Sequence, residues 1–146
     1  MDILADTGIL LRFMEPNDPS CLLVQDAVKA LRWRGDRIVF ALQNAAEFWN
    51  VSTRPASARS GMGLSIAETD RRLTVIETTF PTLHDSKPTF GIWRKLVVAH
   101  SVKGKQVHDA RLVALMKANG IACILTLNAS GFTRYPGIVA IDPTNP

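Results

Sequence analysis

Of four short apolar runs, "DILA" (2–5), "RIVFA" (37–41), "IACILTLN" (121–128) and "IVAID" (138–142), the first three are separated by longer segments of helical character. That alternation constrains the chain more than any other feature. Strands interleaved with helices form a parallel sheet wrapped by helices. The helical segments are 8–14, 21–34, 42–53, 64–80, 87–102 and 106–120, and "PTLHD" (81–85) reads as a further short strand and turn. Asp18 or Ser20 is expected to cap the second helix, and Gly35, Gly104 and Gly120 are expected to stop the segments before them. The expected fold is α/β, a three-layer sandwich around a central parallel sheet of four or five short strands, in a single domain spanning 1–146.

Composition excludes several classes. With 47% hydrophobic residues the chain can bury an ordinary core without disulfide staples. No uncharged apolar run reaches the roughly 18 residues needed to span a membrane, and the start of the chain lacks a secretory pattern, so a cytoplasmic protein is expected. Cys21 and Cys123 have no C-x-x-C spacing and read as free thiols rather than zinc ligands. The net charge of +4, from 17 Lys and Arg against 13 Asp and Glu, is a modest bias toward polyanions. Two arginine clusters, Arg32, Arg34 and Arg37, then Arg54, Arg59, Arg71 and Arg72, are expected to offer a phosphate backbone its contacts.

The first strand runs into "LADTG", an Asp-Thr-Gly. Aspartic proteases carry this triplet between strands of an almost wholly β fold, in two copies that share a proton. Here there is one copy, and it opens a helix. A phosphatase of the haloacid-dehalogenase type needs a second Asp two residues on, where this chain has Gly8. What remains is the general rule that open α/β sheets bind ligands beyond the carboxyl ends of their strands. Asp6 stands at such an end. Glu47 in "NAAEFWN" and Asp109 in "QVHDARLVALM" likewise interrupt stretches that otherwise read as buried. Two carboxylates about 4 Å apart repel by roughly 4 kcal/mol at an effective dielectric of about 20. Three in one pocket need protons or a cation, and hard oxygen ligands favour Mg²⁺ or Mn²⁺. Such a centre hydrolyses phosphodiesters, and basic residues beside it would hold RNA or DNA.

With these acids in place, the chain resembles the PIN-domain family and, within it, the VapC-type toxin ribonucleases. The resemblance runs through "LADTGILLRF", "ALQNAAEFWNVSTRP", "GLSIAETDRRL", "GKQVHDARLVALMKANGIACILTLNASGFTRYPGI" and "VAIDP", nearly the whole chain. It implies a Mg²⁺- or Mn²⁺-dependent endoribonuclease, the toxin of a toxin–antitoxin pair, with Asp6, Glu47 and Asp109 as its catalytic, metal-holding acids. It also implies an RNA substrate, an antitoxin partner and a homodimer. The family's further acid falls in "TLNASGFTRYPGI", where Asn128 stands at one place and Gly131 at the commoner one. Asn128 offers a weaker, neutral ligand oxygen. The departure implies weak metal affinity in the free protein. It also keeps open a non-catalytic or weakly active domain that binds RNA or protein, beside an RNA-processing nuclease with no antitoxin.

Other residues carry smaller expectations. Asp6 also suits a helix N-cap, and Asp109 a favourable charge in a first helical turn. Thr7 and Thr126 are candidates to hydrogen-bond the acids, while Asn44 reads as a surface residue one turn before Glu47. His108 points about 100° away from Asp109 around its helix and reads as structural or supporting. Asp142, nearby in sequence, ends the last strand. Arg134 suits a phosphate contact or a salt bridge equally. Trp33, Trp49 and Trp93 read as core or partner contacts, not base-stacking platforms.

Overall fold

The computed structural model describes residues 1–146. Five strands, β1 (Asp2–Ala5), β2 (Arg37–Ala41), β3 (Thr82–Leu83), β4 (Cys123–Leu125) and β5 (Val139–Ile141), pair in the order β3-β2-β1-β4-β5. Every pairing is parallel, with Ile3 opposite Ile38 on one side and Cys123 on the other. Six helices connect them: α1 (Thr7–Met14), α2 (Cys21–Trp33), α3 (Leu42–Thr53), α4 (Ile66–Thr79), α5 (Thr89–Ala99) and α6 (Val107–Ala118).

The period-2 geometry of the strands divides the core in two. Ile3, Ala5, Ile38, Phe40 and Leu125 face one way and pack with Ile9, Leu10, Val24, Phe48 and Ile76 of α1 to α4. Leu4, Val39, Ala41 and Ile124 face the other way and pack with Leu112, Val113 and Met116 of α6. Trp93 and Leu96 of α5 lie against this second cluster. The three layers expected from the sequence are thus α1–α4, sheet, and α5–α6. No helix is long and apolar enough to cross a membrane.

Helix ends follow local chemistry. Gly35 (φ +88°) and Gly120 (φ +69°) turn the chain in the left-handed region after α2 and α6. Ser65 caps α4 by accepting from the Glu68 amide. At α2, Ser20 sits at the cap position without a side-chain bond, and Asp18 instead accepts the Ser20 amide at 2.8 Å. Both cysteines are free; Cys21 is buried and Cys123 half-buried.

Five of the seven clustered arginines are engaged within the fold, while Arg54 and Arg59 form no ion pair and Arg54 donates to the Arg59 carbonyl. Arg37 pairs with Asp2, Arg34 with Asp36, and Arg32 lies over the Phe80 ring. This group stands at the amino ends of β1 and β2, opposite Asp6. Arg71 pairs with Glu68, and the buried Arg72 bridges Glu68 and Glu15. These arginines are engaged within the fold, because acids three, four or many residues away come into reach only on folding.

Candidate active site

β1 is buried on both faces and ends at Ala5, so Asp6 leaves the sheet at its carboxyl end as the N-cap of α1. One carboxylate oxygen accepts the Thr7 amide at 2.8 Å, and the other accepts the hydroxyl of fully buried Thr126 at 2.7 Å. The capping role and the site role therefore coexist in one side chain. Burial pushes the Asp6 carboxyl above its ordinary range, against the pull of the Thr126 and Thr7 hydrogen bonds, and the Glu47 charge adds to the rise.

Glu47 lies in the second turn of α3, which follows β2 without an intervening loop. Its Oε2 accepts the Thr7 hydroxyl at 2.6 Å and its Oε1 accepts the Gln43 amide at 2.8 Å. Asn44 is fully buried, contrary to its reading as a surface residue. Its amide donates to the Thr7 hydroxyl at 3.3 Å, and its carbonyl accepts the Ala41 amide at 2.9 Å. The β2–α3 junction has no loop to supply these partners, so the side chain turns inward to do so.

Asp109 is in the first turn of α6, across from the other two. Gln43 ties the elements together by donating also to the His108 carbonyl at 2.8 Å. Burial, and then the charges of Asp6 and Glu47, push the Asp109 carboxyl up to about 6, with the His108 charge acting in the opposite direction. The Asp109 carboxylate accepts no hydrogen bond from the chain. None of the nine ion pairs includes Asp6, Glu47 or Asp109. Three acids from distant segments thus share one electrostatic environment with no fixed cation. They are not drawn onto a single point: no three His, Cys, Asp or Glu side chains form a preassembled metal-ligand group.

The cleft beside Asp109 has a volume of about 500 Å³ and is lined by Lys105, Gln106, His108, Asn128, Ser130 and Gly131. A Cβ added at Gly131 would lie 3.2 Å from the Asp109 Oδ2 and 3.1 Å from the Asn128 amide nitrogen. A side chain at 131 would therefore enter the site directly. Asn128 is exposed; its carbonyl accepts the Ser130 hydroxyl at 2.9 Å and its backbone amide donates to Thr126 at 2.9 Å. Arg134 lines the adjoining recess with Asp109 and Tyr135 and forms no ion pair. Asp142 is spent on the Thr144 amide and hydroxyl, outside the cluster. His108 is exposed at the rim.

Sequence reasoning missed Gln43 and Arg111. Gln43 stands one helical turn before Glu47, the spacing at which side chains meet, so a signal existed. Arg111 donates to Gln43 at 2.8 Å and to Asp85 at 2.9 Å. Nothing local in the sequence reveals that pairing across 68 and 26 positions.

No protein-family profile matches the sequence, and no curated protein matches it. The fold does match solved structures. VapBC2 from Rickettsia felis, solved bound to a DNA fragment from its promoter, aligns at a TM-score of 0.73 and 13% identity, over 97% of this chain and 98% of that one. VapBC-1 from nontypeable Haemophilus influenzae aligns at 0.73 and 15% identity, over 99% and 100%. Mycobacterium tuberculosis VapC20, described as a sarcin–ricin loop cleaving toxin, aligns at 0.58 and 17% identity, over 84% and 86%. The chain has the PIN-like fold of these proteins.

Proposed function

We propose that this chain is a Mg²⁺- or Mn²⁺-dependent endoribonuclease and the toxin of a toxin–antitoxin pair, acting in the cytoplasm. The observation that carries the reading is Asp109: a half-buried carboxylate without a hydrogen bond or counter-ion, pushed up to about 6 by burial beside Asp6 and Glu47. Repulsion of this kind is relieved by a hard divalent cation, and the all-oxygen donor set fits one.

Asp6, Glu47 and Asp109 would hold the ion, with the Asn128 carbonyl as a neutral fourth oxygen. When bound, the ion supplies Lewis-acid polarisation of the phosphate and activation of water. The rest is done by the chain. Thr126 and the Thr7 amide fix both oxygens of Asp6. Thr7 and Gln43 fix both oxygens of Glu47. Only Asp109 is left free to adjust when charge arrives. Lys105 and Arg134, in no ion pair at the cleft, would position the RNA backbone.

The fold supports an antitoxin partner, since structures sharing it were solved as VapBC complexes. A homodimer is part of the same reading. The test incubates purified protein with structured RNAs and Mg²⁺ or Mn²⁺ beside Asp6→Asn. Metal-dependent cuts lost in the variant support the nuclease; cuts unchanged in the variant reveal a contaminant. RNA binding without any cleavage favours the second reading, a non-catalytic RNA-binding domain, for which Gly131 is the specific observation. A short reading frame directly upstream encoding a DNA-binding antitoxin separates a toxin from an RNA-processing nuclease.

A further inference from the structure

A second recess, about 410 Å³ in volume, opens beyond β3, also at the carboxyl end of the sheet. Asp85, Lys87, Phe90, Trp93 and Arg111 line it. Phe90 is 68% exposed, an unusual state for a phenyl ring. Its ring centroid lies 6.2 Å from that of Trp93, with the planes tilted by 30°. Trp93 is held in place by its indole N–H, which donates to the Val107 carbonyl at 3.1 Å, and by packing on the second core cluster. One aromatic ring is therefore fixed and its neighbour is free.

Arg111 is fixed as well, between the Asp85 carboxylate and the Gln43 carbonyl. Gln43 donates in turn to Glu47. A chain of three hydrogen bonds thus joins the recess to the acidic cluster. The Oδ1 of Asp85 accepts no hydrogen bond, so an acceptor remains at a recess whose other charged groups are the Lys87 and Arg111 cations; Ser86 and Thr89, also in its lining, bond to each other.

We propose that this recess is a subsite for one unpaired nucleobase of the RNA substrate; this rests on the nuclease reading above. Aromatic faces bind splayed-out bases by stacking, Arg planes assist, and cations meet the flanking phosphates. The base stacks on Phe90 and Trp93, Lys87 meets its phosphate, and Asp85 accepts from a base N–H. From the sequence alone Trp93 reads as a core or partner contact; the exposed ring beside it is what makes a platform.

The experiment measures anisotropy of a labelled, 2′-O-methylated single-stranded hexamer, which the enzyme does not cut, without divalent ions. Phe90→Ala, at an exposed position where folding is not at risk, should weaken binding about 10-fold. Phe90→Tyr should restore it, and Trp33→Ala, at another exposed ring, should leave it unchanged. On a cleavable RNA, Phe90→Ala should raise KM by a similar factor with kcat preserved. Wild-type affinity in Phe90→Ala would overturn the subsite while leaving the nuclease reading to the Asp6→Asn test. Absence of hexamer binding by the wild type would likewise overturn the subsite and leave the nuclease reading to the Asp6→Asn test. A change confined to the monomer–dimer equilibrium of Phe90→Ala in sedimentation would assign the ring to contact between copies and overturn the subsite.

Discussion

Asp109 is held in a state that disfavours its own ionisation, and the cost is measurable. Its carboxyl is raised from 3.8 to about 6. Between those values the folded protein binds more protons than the unfolded one, so this group's contribution to stability falls as pH rises through about 6. The full shift corresponds to about 3 kcal/mol, which partial exposure reduces to about 1–2 kcal/mol. Asp109→Asn should therefore melt roughly 3–6 °C higher than wild type at pH 7.5 in chelator, while losing RNA cleavage. The gap should narrow as pH is lowered through 6; a variant that melts lower at pH 7.5 refutes the account. Thr126 supports Asp6 and the Asn128 amide with a single hydroxyl. Thr126→Val keeps its shape and removes both bonds. Cleavage should fall about 10–100-fold, the usual loss when a group orienting a metal ligand is removed, with urea denaturation showing a loss of only about 1–2 kcal/mol.

At the scale of elements, β1, β2 and α3 coincide with their expected limits, because an acid, a turn or a strand-to-helix junction marks each end in the sequence itself. β4 does not. The apolar run 121–128 suggests eight residues, but the ladder covers Cys123–Leu125. The Thr126 amide still bonds the Ile141 carbonyl of β5 while its hydroxyl turns to Asp6, and hydropathy carries no sign of where a strand hands over to a site. α5 is shorter than 87–102 because Pro88 precedes it and Ser101 adopts a positive φ of 49°. The three acids were legible as polar interruptions of apolar stretches. Arg72 was not, since Glu15, its partner just past the end of α1, lies 57 positions away. Its side chain is 10% exposed and joins α4 to the end of α1 through Glu15 at 2.9 Å. Arg72→Met should cost about 2–3 kcal/mol in urea denaturation, most of it from leaving Glu15 without its counter-charge. A loss below about 0.5 kcal/mol would make the bridge no more than a surface pair.

Taken whole, the molecule brings three acids from residues 6, 47 and 109 to one end of a parallel sheet and leaves the fourth side vacant at Gly131. Mn²⁺ binding in calorimetry should be weaker than micromolar for the free protein and should weaken further below pH 6, where protons compete for Asp109. Gly131→Asp meets only the ends of two side chains, Asn128 and Asp109, at 3.1 and 3.2 Å. It should tighten Mn²⁺ about 10-fold or more and lower metal-free stability by adding a like charge. Unchanged affinity would place position 131 outside the ion's reach.

Trp33, 93% exposed at the end of α2, lies just before β2 begins at Arg37, at the pole of the sheet remote from Asp6. A cysteine introduced there (Trp33→Cys) would tether the protein to a sensor surface with its cleft turned outward. Nucleic acid and competitor could then be flowed over an immobilised molecule whose anchoring point takes no part in capture.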